Sequence, residues 1–175
     1  MDEELTRHEL ARLEAQRKLQ RLPSEILETA WVREAQIEAV IDAALAFAMG
    51  GDVGALERAR QTGEWSARIA AQLGYPGDIA DIRRAGVLQE VDPLVLARIP
   101  ELAHLPALAE NARVGQILGV ADEFVCGLAA QGECAVNPRV VLGKMREKAS
   151  PSILPVVEAL GTALMRPSQR TAQAG

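Results

Sequence analysis

No segment of this chain alternates apolar and polar residues over the length of a strand, and this constrains its fold more than any other feature. Alanine and leucine dominate, whereas threonine, tyrosine and phenylalanine, which favour strands, are scarce. Apolar residues instead recur at intervals of three and four, which places them on one face of a helix. The sequence therefore predicts an all-α protein, built as a helical bundle.

Capping and breaking residues divide this pattern into separate helices. The predicted N-caps are Ser24, Asp78, Asp92, Asn111 and Asn137. The predicted helices run over 24–49, 54–73, 79–88, 112–128, 138–149 and 153–165, with short helices or turns in 94–110. Large apolar side chains on these helices are the expected core, and the second helix offers Leu56, Trp65, Ile69 and Leu73.

The first 23 residues form a separate segment in which charges of both signs are interleaved. Its basic residues are Arg7, Arg12, Arg17, Lys18 and Arg21, and its acidic residues include Glu3, Glu4, Glu9 and Glu14. Such a helix either presents a solvated face supported by pairs of opposite charge, or packs on a partner helix. We expect segment 1–23 to serve interaction or linkage, 24–166 to form the main domain and 167–175 to be a frayed polar tail.

Composition excludes several classes of function. The formal net charge is -5 and aromatic residues make up 3%, so neither a basic face for nucleic-acid polymers nor a base-stacking platform is expected. No apolar run has the length of a membrane span, and the first residues lack the apolar core of a signal peptide. These features predict a cytoplasmic protein that contacts no membrane.

Histidine and cysteine are too few for a metal site rich in these ligands or for a disulfide framework. The chain has two histidines, His8 and His104, and two cysteines, Cys126 and Cys134. His104 stands in a proline-bounded loop and is expected to be solvated. Cys126 lies on a predicted helix and is expected to be buried, without a role as a nucleophile.

Three segments, in this order along the chain, resemble one protein family. They are TGEWSARIA (62–70), AGVLQEVDP (85–93) and ILGVADEF (117–124), with PVVEAL (155–160) following. Together they resemble the HD superfamily of metal-dependent phosphohydrolases, closest to its HD-GYP branch, over about residues 35–165. The resemblance implies a helical bundle with a two- or three-metal centre, and HD-GYP members hydrolyse cyclic di-GMP.

The residues that match the metal ligands of this family are mostly of the wrong chemical type. Trp65 stands where the family has its first histidine, and Gln89-Glu90 stands where it has a His-Asp pair. Only the late aspartate is kept, as Asp122, and the histidines of the middle of the domain have no counterpart. An indole nitrogen donates only, and a glutamine amide is a poor replacement for imidazole. We therefore expect no bound metal, no cofactor and no catalysis.

The resemblance without the ligands favours a catalytically inactive HD-GYP-like domain that acts by protein–protein interaction in bacterial signal transduction. Its partner is either a regulator or a second copy, bound through the helices of 3–49, and a homodimer is expected. One alternative is a receptor that binds a cyclic dinucleotide without cleaving it, with Arg68, Arg98 and Arg113 as candidate ligand-binding residues. Another is a phosphohydrolase with a site rebuilt from Glu90, Asp122 and His104.

Overall fold

A computed structural model describes residues 24–130 and 137–165, without the side chains of 24–28 and 30. This part of the chain is all-α, as predicted, and contains eight helices and no strand. The helices are α1 (Ser24–Ala48), α2 (Val53–Gln72), α3 (Ile79–Val87), α4 (Pro93–Leu96), α5 (Leu105–Ala109), α6 (Ala112–Ala129), α7 (Pro138–Lys148) and α8 (Leu154–Met165). The predictions for 1–23, Cys134 and 167–175 lie outside the described residues.

The chain divides into two compact units, Met1–Val40 and Ile41–Gly175. The described part of the first unit is the beginning of α1, and the second unit holds the end of α1 and the seven helices that follow. No helix in the described ranges is both long enough and apolar enough to span a bilayer.

Helix starts follow the capping residues that the sequence analysis identified. The side chains of Asp78 and Asp92 accept hydrogen bonds from the amides of the second helical residues, Ala80 and Leu94, at 2.8 Å each. Asn111 and Asn137 do the same at the starts of α6 and α7. A further cap, by Asp52 on the amide of Ala55 at 3.0 Å, begins α2. These bonds join residues that are neighbours in sequence, so the sequence alone can indicate where a helix begins. The predicted bounds of the longer helices are correct to within one residue.

The core of the second unit forms where α2 packs on α3, α6 and α8. Ile69, Ile82, Ile117, Phe124 and Leu160 are fully buried there. The predicted core of α2 was only partly correct. Ile69 is buried, whereas Leu56, Trp65 and Leu73 are only half-buried.

Small residues, rather than large ones, make up most of the buried face of α2. This face consists of Ala59, Thr62, Gly63, Ser66, Ile69 and Ala70. A Cβ atom added to Gly63 would overlap the side chain of Val87 and lie 2.7 Å from the carbonyl oxygen of Arg83. A Cβ atom on Gly86 would lie 2.9 Å from the Cα of Gly63. The backbones of α2 and α3 therefore meet at these two glycines, which leaves no room for large side chains between the helices.

Candidate functional site

A cavity of about 250 Å3 opens where α2, the end of α3 and α6 meet. Its polar and charged lining residues are Arg58, Thr62, Gln89, Glu90, Asp122 and Cys126. The remaining walls are formed by Met49, Ala55, Ala59, Gly86 and Val87. The cavity therefore combines charged groups of both signs with an apolar wall.

Three of the four positions that the resemblance matched to metal ligands meet at this cavity. Gln89 and Glu90 follow the last residue of α3, and Asp122 lies in the middle of α6. The fourth, Trp65, is not among the lining residues. Its ring instead packs edge-on against Phe124, with 5.1 Å between ring centroids, and the guanidinium of Arg68 lies 4.7 Å from the centre of the Trp65 ring.

The short turn after α3 explains how Gln89 and Glu90 reach the cavity. The residues on either side of the pair, Leu88 and Val91, are buried, and the amide of Val91 donates to the carbonyl of Leu88 at 3.0 Å. With both flanking side chains anchored in the core, the side chains of Gln89 and Glu90 are left exposed. Hydrophobic anchoring of the neighbours thus holds the two polar side chains at the surface.

Arg58 is a charged residue of the cavity that the sequence pattern did not indicate. It lies on α2 one turn before Thr62, and both residues line the cavity. Trp65 follows Arg58 by two turns, so the two residues share a side of α2 but stand about 10 Å apart along its axis. The helical spacing gives the side of α2 that faces the cavity. Which turn of α2 reaches the cavity depends on where α3 and α6 cross this helix. The spacing of residues along α2 carries no information about that crossing point.

Cys126 lies one turn after Asp122 on α6, and it is exposed rather than buried as predicted. Partial burial of the thiol raises its pKa above the ordinary value, and the negative charge of Asp122 raises it further. The thiol also donates a weak hydrogen bond to a carboxylate oxygen of Asp122, over 3.8 Å between Sγ and Oδ1, which raises the pKa as well. The negative charge of Glu90 also raises this pKa, and the positive charge of Arg58 lowers it. All three charged residues of the cavity therefore influence the pKa of the Cys126 thiol.

The other candidate residues lie away from the cavity. Arg98 and Arg113 are exposed, and neither they nor Arg68 are among the lining residues. His104 is exposed, as predicted, and its Nε2 lies 3.0 Å from a carboxylate oxygen of Asp81. The structure therefore does not bring His104 together with Glu90 and Asp122.

The residues at the cavity do not fit the metal centre that the resemblance implies. Among the described residues that line the cavity, Glu90 and Asp122 are the only carboxylates, Gln89 offers a neutral amide oxygen, and Arg58 places a positive charge in the same cavity. A two-metal hydrolytic centre needs several imidazole or carboxylate ligands around each ion. In the described ranges, no group of three or more His, Cys, Asp or Glu side chains has the geometry to hold a metal ion.

Comparison of the chain with family models, with curated proteins and with solved structures finds no match. The arguments about function therefore rest on the residues and the cavity.

Proposed function

We propose that this chain is a catalytically inactive, HD-GYP-like helical domain that acts in bacterial signal transduction through protein–protein interaction, in the cytoplasm. The observation that carries the proposal is the meeting of Gln89, Glu90 and Asp122 at one cavity. These residues were selected by the order of their segments in the sequence, and the turn after α3 and the middle of α6, which are distant along the chain, supply them. The resemblance implies that these positions meet, and of the three side chains only Gln89 differs in chemistry from the family's ligand, since Glu90 and Asp122 are both carboxylates.

The positive charge of Arg58 supports the absence of catalysis in this proposal. A guanidinium group stays protonated at all physiological pH values and has no lone pair with which to bind a metal. Placed in the same small cavity as Glu90 and Asp122, it supplies positive charge where a hydrolytic site would need a divalent ion.

Exposed apolar side chains on α1 support the interaction part of the proposal. Trp31 and Val32 are adjacent, and 76% and 58% of their surfaces are exposed. Near the end of the same helix, Phe47 is 82% exposed. Large apolar groups that remain in water in the single chain are typical of surfaces that bind other proteins. A second copy of the chain is the partner that we propose.

The two alternative functions receive less support from the cavity. A volume of about 250 Å3 lies below the roughly 300–1,000 Å3 of pockets that hold drug-sized ligands, and a cyclic dinucleotide is larger than most of those. The arginines considered for nucleotide binding do not line the cavity. A rebuilt hydrolytic site would need His104, the one histidine among the described residues. His104 instead pairs with Asp81 and does not line the cavity.

The metal content of the purified protein tests the proposal that the domain is not catalytic. After purification without chelators and resupply of manganese and iron, we expect less than about one tenth of an equivalent per chain, because two carboxylates beside a guanidinium hold a divalent ion weakly. Elemental analysis measures this. One or two equivalents of metal would contradict the proposal, and phosphodiester hydrolysis assays would follow.

Trp31→Glu tests the proposed self-association. We expect the wild-type chain to have the mass of a dimer in light scattering coupled to size exclusion, and the variant to have the mass of a monomer, because the substitution buries an unpaired charge in the interface. Gln36→Glu is the matched control, since it adds the same charge at another exposed position of α1. A monomeric wild-type protein, or two variants that behave alike, would argue against this interface.

A further inference from the structure

Three charged side chains line the cavity without neutralising one another. Arg58 comes from α2, Glu90 from the turn after α3, and Asp122 from α6. Among the described residues, none of the three forms an ion pair, and the only hydrogen bond is the weak one from the thiol of Cys126 to Asp122. Positive and negative groups thus face the same small volume from different walls. Arg58 and Glu90 are exposed and Asp122 is half-buried, and no ion pair with another described residue neutralises any of them.

This arrangement selects among classes of ligand. A cation alone is attracted by the two carboxylates and repelled by Arg58, and an anion alone experiences the reverse. A molecule that carries both charges is attracted to groups of both signs. Its carboxylate accepts hydrogen bonds from the guanidinium, a pairing that is often bidentate, and its ammonium donates to Glu90 and Asp122.

We propose that this cavity binds a small zwitterion of the size of an α-amino acid, with the ligand carboxylate at Arg58 and the ligand ammonium at Glu90 and Asp122. The volume of about 250 Å3 suits a molecule of this size. Met49, Ala55 and Val87 provide an apolar wall against which a small side chain would pack. The proposal goes beyond the function proposed above, since such binding does not depend on whether the domain dimerises.

A second, larger cavity offers a comparison, because its volume is greater but its carboxylate already has a partner within the protein. It measures about 570 Å3 and lies between α7 and α8. Its charged lining residues are Arg139, Arg146 and Glu158. Arg146 and Glu158 are already joined by two hydrogen bonds of 2.8 and 2.9 Å, so no described lining residue offers an unpaired carboxylate to a ligand ammonium.

Calorimetric titration with matched probes tests the proposal. The zwitterions are L-alanine, L-serine and L-leucine, propionate is alanine without its ammonium, and ethylamine is alanine without its carboxylate. We expect at least one amino acid to bind at least about tenfold more tightly than either fragment, because each fragment forfeits hydrogen bonds to a charged group. The proposal is overturned if no amino acid binds with a Kd below about 10 mM, or if ethylamine binds as well as the amino acids do.

Substitutions at the cavity test the two proposed contacts. We expect Arg58→Met and Asp122→Asn each to weaken binding of the selected amino acid at least about tenfold. Arg60→Met is the matched control and should leave binding unchanged, since Arg60 is an exposed arginine of the same helix that pairs with Asp42 at 3.0 Å. Circular dichroism melts verify that the variants fold. Wild-type affinity in Arg58→Met would overturn the proposed carboxylate contact, and with it the proposal.

Protection of Cys126 shows whether binding occurs at this cavity. In a Cys134→Ala background, Cys126 is the only thiol, and it lines the cavity. Alkylation by iodoacetamide is followed over a long time course at mildly alkaline pH, because the raised pKa of this thiol keeps the reactive thiolate scarce, while the free amino acid must keep its ammonium. We expect a saturating amino acid to slow alkylation severalfold, and propionate at the same concentration to have no effect. Binding without protection would place the ligand elsewhere and overturn the proposal.

Discussion

Replacing Phe124 with alanine is expected to lower the free energy of unfolding by about 3–5 kcal/mol. Phe124 is 0% exposed, and its ring packs edge-on against Trp65 at 5.1 Å between centroids. The substitution removes a large buried apolar surface, leaves a cavity and deletes the aromatic contact. Since small domains have a total stability of about 5–15 kcal/mol, this loss is a large part of the whole. Urea unfolding followed by circular dichroism measures it.

The control for this prediction is truncation of an exposed apolar side chain outside α1. Leu94 is 73% exposed, so Leu94→Ala should change the free energy of unfolding by no more than about 0.5 kcal/mol. Equal losses in the two variants would contradict the packing that we describe. The result also bears on the cavity, because Phe124 anchors the same turn of α6 that carries Asp122.

Replacing Gly63 with alanine is expected to lower the free energy of unfolding by about 1–3 kcal/mol. The added methyl group would overlap Val87 and lie 2.7 Å from the carbonyl oxygen of Arg83, so the backbones of α2 and α3 would have to separate. Backbone is less able to yield than the end of a flexible side chain. Gly63→Val, with two further methyl groups, should cost more. The midpoint of urea unfolding is the readout.

Gly143→Ala is the matched control, because a Cβ atom at this helical glycine would meet nothing within 4 Å. There the substitution should raise the free energy of unfolding by about 0.5–1 kcal/mol, since alanine favours helix more than glycine does. A Gly63→Ala protein as stable as the wild type would show that α2 and α3 are not in backbone contact. Because Gly86 both meets Gly63 and lines the cavity, a separation of the helices should also weaken ligand binding there.

Much of the helical layout was predictable because its signals are local. The N-cap bonds of Asp78, Asp92 and Asn111 each join a side chain to an amide two residues later, so the sequence itself contains both partners. The convergence of Gln89-Glu90 with Asp122 was expected only through the resemblance. The spacing of these residues along the chain does not indicate that the end of α3 lies beside the middle of α6.

The errors about the core and the cavity have a common physical origin. Size and hydropathy favoured Leu56, Trp65 and Leu73 as core residues of α2, but α3 approaches so closely that Gly63 and Ser66 occupy the buried face. Cys126 was expected to be buried because it lies on a predicted helix and free cysteine is usually buried, yet it is exposed where the cavity opens. In each case the neighbouring helix decides the outcome, and its position is not encoded in the local pattern.

The order of residues fixes the all-α class and the bounds of the longer described helices, and it contains no membrane-spanning pattern. These properties follow from composition and from interactions between near neighbours. The packing of the helices, by contrast, places Arg58 rather than Trp65 at the cavity with Glu90 and Asp122. Which turn of α2 faces that cavity depends on how closely α2, α3 and α6 pack, and the contact between Gly63 and Gly86 sets that distance.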